Sequence, residues 1–147
     1  MADKREAILD QLLEIAKDVR GVVTVARNKW PITDVDRPAI LILDGDEGAD
    51  TDDPRNRPTN AYRIVDMTPE IYVMLGGTPE DVGGDLNLIR ARFVKAVLTD
   101  ATLRELTLDD RGIRYEGCVT DLAEGRTMEG SMGLNFTFTY VLKASDL

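Results

Sequence analysis

The sequence predicts an α+β fold: a mostly antiparallel sheet of about five strands with two main helices packed on one face. Three observations carry that prediction. Residues 132–142 alternate strictly, with Leu134, Phe136, Phe138, Tyr140 and Leu142 on one face and Asn135, Thr137, Thr139 and Val141 on the other. Two segments, 3–20 and 85–99, instead repeat their apolar side chains at helical spacing. Turn signals at Gly76-Gly77, Asp109-Asp110-Arg111-Gly112 and Glu124-Gly125 then divide the remaining β-rich chain into short pieces.

Residues 3–20 form the first helix. Ile8, Leu12, Ile15 and Val19 make its apolar stripe, widened by Leu9, Leu13 and Ala16. Asp3 and Glu6 resemble a capping box, with Asp in place of Ser or Thr. Lys17 and Arg20 suit the negative end of the helix dipole, and Gly21 suits the position just past it. The β-branched run 22–26 is a first strand. Residues 27–37 are polar and read as a loop holding Trp30-Pro31. Trp30 is either a loop anchor on the core or a contact residue, since Trp is enriched at interface hot spots. Residues 38–43 are nearly all apolar, so this second strand is covered on both faces or paired with another chain.

An acidic stretch follows. Asp44, Asp46, Glu47, Asp50, Asp52 and Asp53 occur with no intervening base, and then come Arg55 and Arg57. An EF-hand loop counted from Asp44 would need Gly at the sixth position and Glu at the twelfth; Ala49 and Arg55 stand there, so the match fails. Like charges repel, and little apolar surface is available for burial. Residues 44–60 are therefore expected to form a mobile acidic loop, of a length that is often functional. Residues 61–75 resume the β pattern, with Pro69 at a bulge or on an edge.

Thr78-Pro79-Glu80-Asp81 opens a helix with a cap, a proline and acids at its positive end. Gly83-Gly84 is expected to interrupt it before a main helix over 85–99. Leu86, Ile89, Phe93 and Val97 face the core there, while Arg90, Arg92 and Lys95 point elsewhere as a solvated face. Residues 100–106 add a further helical turn. In 113–122, Ile113, Tyr115, Gly117 and Val119 alternate against Arg114, Glu116, Cys118 and Thr120, and this strand pairs with 132–142 as a hairpin. Burying the five large side chains of 132–142 is worth on the order of 10 kcal/mol gross, at ~1.5–3 kcal/mol each.

Composition narrows the chemistry. The 147 residues suit one domain, 1–147, with net charge −9, no histidine and one cysteine. Without histidine the commonest general base and transition-metal ligand are missing. The lone Cys118 forms no internal disulfide and reads as a packing residue in a strand. The acidic balance opposes gripping a phosphate backbone. No signal peptide or apolar run of spanning length is visible, so a protein with no membrane partner, inside the cell, is expected. There is no GxGxxG after a strand and no Walker sequence. Twenty-seven acids guarantee some carboxylate pair at a useful distance, so such a pair has no specificity. No catalytic residue, cofactor or metal is expected.

The element order, with the runs MTPEIYVML at 67–75, IRYEG at 113–117 and MGLNFTFTY at 132–140, resembles the tail-terminator family of long non-contractile-tailed phages, the minor tail protein U-like group. The resemblance implies a virion structural protein that assembles in the host cytoplasm as a homo-oligomer, a hexameric ring. Such a ring would cap the head-proximal end of the tail tube, stop its growth and join it to the head-tail connector protein. The implied partners are further copies of the chain, the tail-tube protein and the connector protein, with DNA only as passing cargo. The candidate subunit-interface residues are Trp30, the acids and arginines of 44–60 named above, and Asn135, Thr137 and Thr139. Two alternatives remain beside it: a tail-tube or neck adaptor subunit, and a small Ca²⁺-binding or ligand-binding module.

Overall fold

The computed structural model describes residues 3–29, 37–77, 80–123 and 128–147, with only the backbone at 122, 123, 128 and 129. Trp30, the Thr78-Pro79 helix start and the Glu124-Gly125 turn lie outside the described residues. The chain runs α1 (Lys4–Asp18), β1 (Thr24–Arg27), β2 (Ala39–Ala49), β3 (Arg63–Gly77), α2 (Val82–Leu98), α3 (Ala101–Leu106), β4 (Ile113–Ala123) and β5 (Met128–Leu142), ending in a 3₁₀ turn, Ala144–Asp146. The five strands form one sheet in the order β1-β2-β3-β5-β4. Among the described strands only the β1–β2 pair is parallel. This is the α+β architecture predicted, with β5 paired on both sides near the centre of the sheet.

The core lies between the inward sheet face and the helices. Ile8, Leu12 and Ile15 of α1 and Leu86, Ile89, Phe93 and Val97 of α2 pack with Leu134, Phe136, Phe138 and Tyr140 of β5. Phe136 sits at the centre of an aromatic group. Its ring stacks on Phe138 at 5.8 Å, meets Tyr115 at 5.2 Å and receives Phe93 edge-on at 6.2 Å between centroids. The offset and edge-on arrangements match the charge distribution of aromatic rings. Ala39, Ile40, Leu41 and Ile42 are all buried, as a strand covered on both faces requires.

Four local expectations are corrected. Asp3 does cap α1, accepting from Arg5 N at 3.1 Å, but the capping box is not closed, because Glu6 turns to Arg27 instead. Gly83-Gly84 does not break α2, which begins at Val82. Burial of Val82 and Leu86 holds that first turn despite the glycine entropy. The alternation of β4 slips between Tyr115 and Gly117, where the register with β5 shifts. Beyond the slip Val119 falls opposite Gly133 on the outward face and is 65% exposed. Cys118 is exposed too, not packed, because β4 is the last strand of the sheet.

The largest correction concerns the acidic stretch. Residues 44–49 are not a mobile loop but the second half of β2, paired with β3 from Asp46↔Thr68 to Ala49↔Val65. The strand continues past a bulge between Leu43 and Asp46, opposite Pro69. Gly45 makes the bulge possible. Its φ is +69°, and a Cβ there would collide with the carbonyl of Thr68. Pro69 has no N–H to give, and the β3–β5 ladder passes over Thr68 and Pro69 between Met67↔Phe138 and Glu70↔Asn135.

Candidate functional site

Two clusters of polar side chains, each built around an arginine, lie on and just past β2. The first joins α1, β1 and β2. Arg27, the last residue of β1, bonds Asp44 through Nε at 2.7 Å and Nη2 at 2.9 Å. Its guanidinium also bonds Glu6 of α1 at 2.6 and 2.9 Å. The two carboxylates are held below their ordinary range, each chiefly by Arg27. Asn28, at φ +54°, adds an acceptor for the Asp44 amide at 2.9 Å. Arg5 closes the same end by donating to the Gly45 carbonyl at 2.7 Å.

The second cluster begins just past β2 and reaches the outward sheet face. The Asp50 side chain is 3% exposed and takes both terminal nitrogens of Arg111, at 3.0 and 3.1 Å. Asp50 also accepts from the Asp52 amide at 2.9 Å, and Asp52 takes a second bond from Arg111 at 3.0 Å. Beside them Asp66 accepts from Thr139 Oγ1 at 2.5 Å and lies 3.8 Å from Arg114. The two central acids shift in opposite directions. Arg111 holds Asp50 well below the carboxylate range, whereas burial, and then the neighbouring Asp50 charge, push Asp66 up.

The expected contact residues therefore separate. Asp44, Asp50 and Asp52 are bound within the chain, and Asp53 accepts from the Ile64 amide at 2.9 Å. Glu47 takes the Tyr140 hydroxyl, whose proton is held more tightly by burial and by that carboxylate. Arg57 donates to the Tyr62 carbonyl at 2.9 Å and stacks its guanidinium 3.9 Å over the Tyr62 ring. Asp46, Arg55 and Asn135 are exposed. Thr137 and Thr139, offered with Asn135 as candidate subunit-interface residues, are buried within the chain. The reason is that Arg114 pairs opposite Thr137 while Asp66 binds Thr139, so this face is filled by its own polar contacts.

Sequence reasoning missed Arg27, Asp66 and Arg111. From the sequence alone Arg111 is part of a turn. Its partner Asp50 lies 61 positions away, and no local spacing links them. Among the described residues, no group of three or more acids and cysteines converges in a way that could hold a metal ion. The geometry of both clusters is that of a clasp: a bidentate arginine fixing the end of a strand. No described helix is long and apolar enough to cross a membrane. Compared with known protein families and with curated proteins, the chain matches none.

Proposed function

We propose that this chain is a structural subunit of a phage tail, a tail terminator whose copies form a ring that caps the head-proximal end of the tail tube and joins it to the head connector. The observation that carries the assembly reading is β4. It is an eleven-residue edge strand with Glu116, Cys118, Val119, Thr120 and Asp121 all exposed. A long edge presenting unpaired backbone groups and an exposed valine is a template for another chain. The core helices add support, since they pack on the opposite, inward face of the sheet. The tail-terminator assignment itself rests on the resemblance in element order and in the three runs quoted above.

The polar chemistry fits a protein that works by shape. The carboxylates of 44–53 are largely engaged by Arg27, Arg111 and Tyr140, so they serve to hold strands in place. In a ring, the remaining acids would face passing DNA with like charge and leave it free to slide. The test has two parts. Native mass spectrometry and negative-stain microscopy of the purified chain, alone and with tail-tube subunits, should show a closed ring. Adding the chain to polymerising tube subunits should shorten the tubes as its concentration rises. A strict monomer in both settings, with tube lengths unchanged, overturns the reading.

A further inference from the structure

The sequence marked Arg90, Arg92 and Lys95 as a solvated face of α2. The structure separates them. Arg90 reaches Tyr115, whereas Arg92 and Lys95 turn to the other side and meet Arg20 at the end of α1. Together they rim a groove of about 500 Å³ between α1 and α2, floored by Ile15, Val19 and Ala96. Arg92 is fixed there by donating to the Arg20 carbonyl at 2.8 Å. Two acids border the groove. Asp100 is occupied, accepting from the Leu103 amide at 2.8 Å and from Gln11 at 3.1 and 3.2 Å. Those donors are neutral, so Asp100 keeps its charge, and the lining holds three cations against the two carboxylates of Asp18 and Asp100, a net charge of +1. Among the described residues no carboxylate is in ion-pair contact with Arg20, Arg92 or Lys95. In a chain of net charge −9 this is a local excess of positive charge over an apolar floor.

The opposite charge lies at the far end of the molecule. β2 starts beside the groove, where the Pro38 carbonyl accepts from Val23 N at 2.8 Å and Pro38 lines a hollow with Arg92. The strand then runs away from it, and Asp46 stands seven residues past Ala39, roughly 23 Å at ~3.3 Å per residue. There Asp46 is exposed and has no ion-pair partner among the described residues, and the Asp52 side chain is 69% exposed. A basic end and an acidic end this far apart cannot meet within one copy. They can meet between copies placed head to tail, the heterologous arrangement that closes into rings.

Resting on the ring reading, we infer that the α1–α2 groove is the receiving half of the subunit contact, and that it takes the acidic β2 end of the next copy through Asp46 and Asp52. The apolar floor lets the contact exclude water, which strengthens the charge pairs at its rim.

Charge reversal with mixing tests this. Copy one carries Arg20→Glu and Lys95→Glu, sparing Arg92 because it holds the end of α1. Copy two carries Asp46→Lys and Asp52→Lys, with Asp46→Lys alone as the version that leaves the Arg111 clasp untouched. Self-association is read by native mass spectrometry and sedimentation velocity at low and high salt. Each variant alone should associate about tenfold or more weakly than the wild type, since like charges then face each other. An equimolar mixture should recover assembly, because every groove again meets an opposite charge. Wild-type assembly should weaken with salt. If the wild type assembles and the variants assemble equally well alone, the groove is not the contact and the ring reading survives. If the wild type assembles, the variants do not, and the mixture fails to recover, the head-to-tail pairing is wrong. If the wild type assembles neither alone nor with tube subunits, the ring reading falls and the groove assignment falls with it.

Discussion

Arg111 grips both carboxylate oxygens of Asp50 across 61 residues of chain, at 3.0 and 3.1 Å. The contact ties the end of β2 to the turn before β4, two elements separated in the sheet by β3 and β5. A bidentate pair on a buried acid is costly to break from one side, because the remaining charge stays desolvated. Asp50→Ala should lose about 2–4 kcal/mol of stability, since the Arg111 pair and the Asp52 amide bond both go. Arg111→Met should lower the melting temperature as well. The double variant should lose less than the two single losses added, as a double-mutant cycle by urea denaturation would read. Additive losses would mean that the two side chains do not act as one unit.

The neighbouring Asp66 makes the opposite prediction for pH. Its folded pKa is raised, first by burial and then by Asp50, so its charged form is penalised in the fold. That penalty is complete above its folded pKa. It is relieved as pH falls through that value and is gone near the unfolded value of ~3.9. Asp50 has a depressed folded pKa, so its stabilisation is complete above ~3.9 and is lost as pH falls further. Asp66→Asn should therefore raise stability at pH 7 while keeping an acceptor for Thr139. The gain should shrink as pH is lowered toward 4. A gain independent of pH, or a loss at pH 7, would remove the assignment of Asp66 as a penalised charge.

The bulge at Gly45 is a backbone requirement. With φ at +69° and the Thr68 carbonyl against the position of a Cβ, Gly45→Ala should cost about 1–3 kcal/mol. Gly48→Ala, on the same strand with open space around its Cβ, is the control and should be close to neutral. Urea midpoints for the two variants check the difference.

What was legible in the sequence follows from these distances along the chain. β5 and the two main helices declare themselves because their periodicity is local, and each buries one continuous face. Pro69 was legible as a bulge marker for the same reason: a missing N–H is a property of one residue. The acidic half of β2 was not legible. Its carboxylates, and Asp50 just past it, are held by Arg27, Tyr140 and Arg111, which lie 17, 93 and 61 positions from their partners Asp44, Glu47 and Asp50. Without those partners the run reads as mutually repelling charge. Gly45 was the available signal, a glycine placed just beyond an apolar run that must turn without ending. The β4 slip escaped for a related reason, since Gly117 looked like one beat of an alternation and instead shifts its phase.

That phase shift leads to a direct measurement. Beyond Gly117, Cys118 and Val119 are exposed on the edge strand, whereas an unbroken alternation would have buried Val119. A thiol in a packed strand reacts only when the strand opens, but an exposed one reacts in the folded state. Cys118 in the native protein should therefore react with a thiol reagent at a rate close to that of the urea-unfolded chain. Val119→Lys should leave the unfolding free energy within about 1 kcal/mol of wild type, because an exposed site tolerates charge. If β4 meets a neighbouring copy, the same substitution should weaken ring formation, and assembly should slow the labelling of Cys118. Protection of Cys118 in the isolated subunit would return it to the core and withdraw β4 as a free edge.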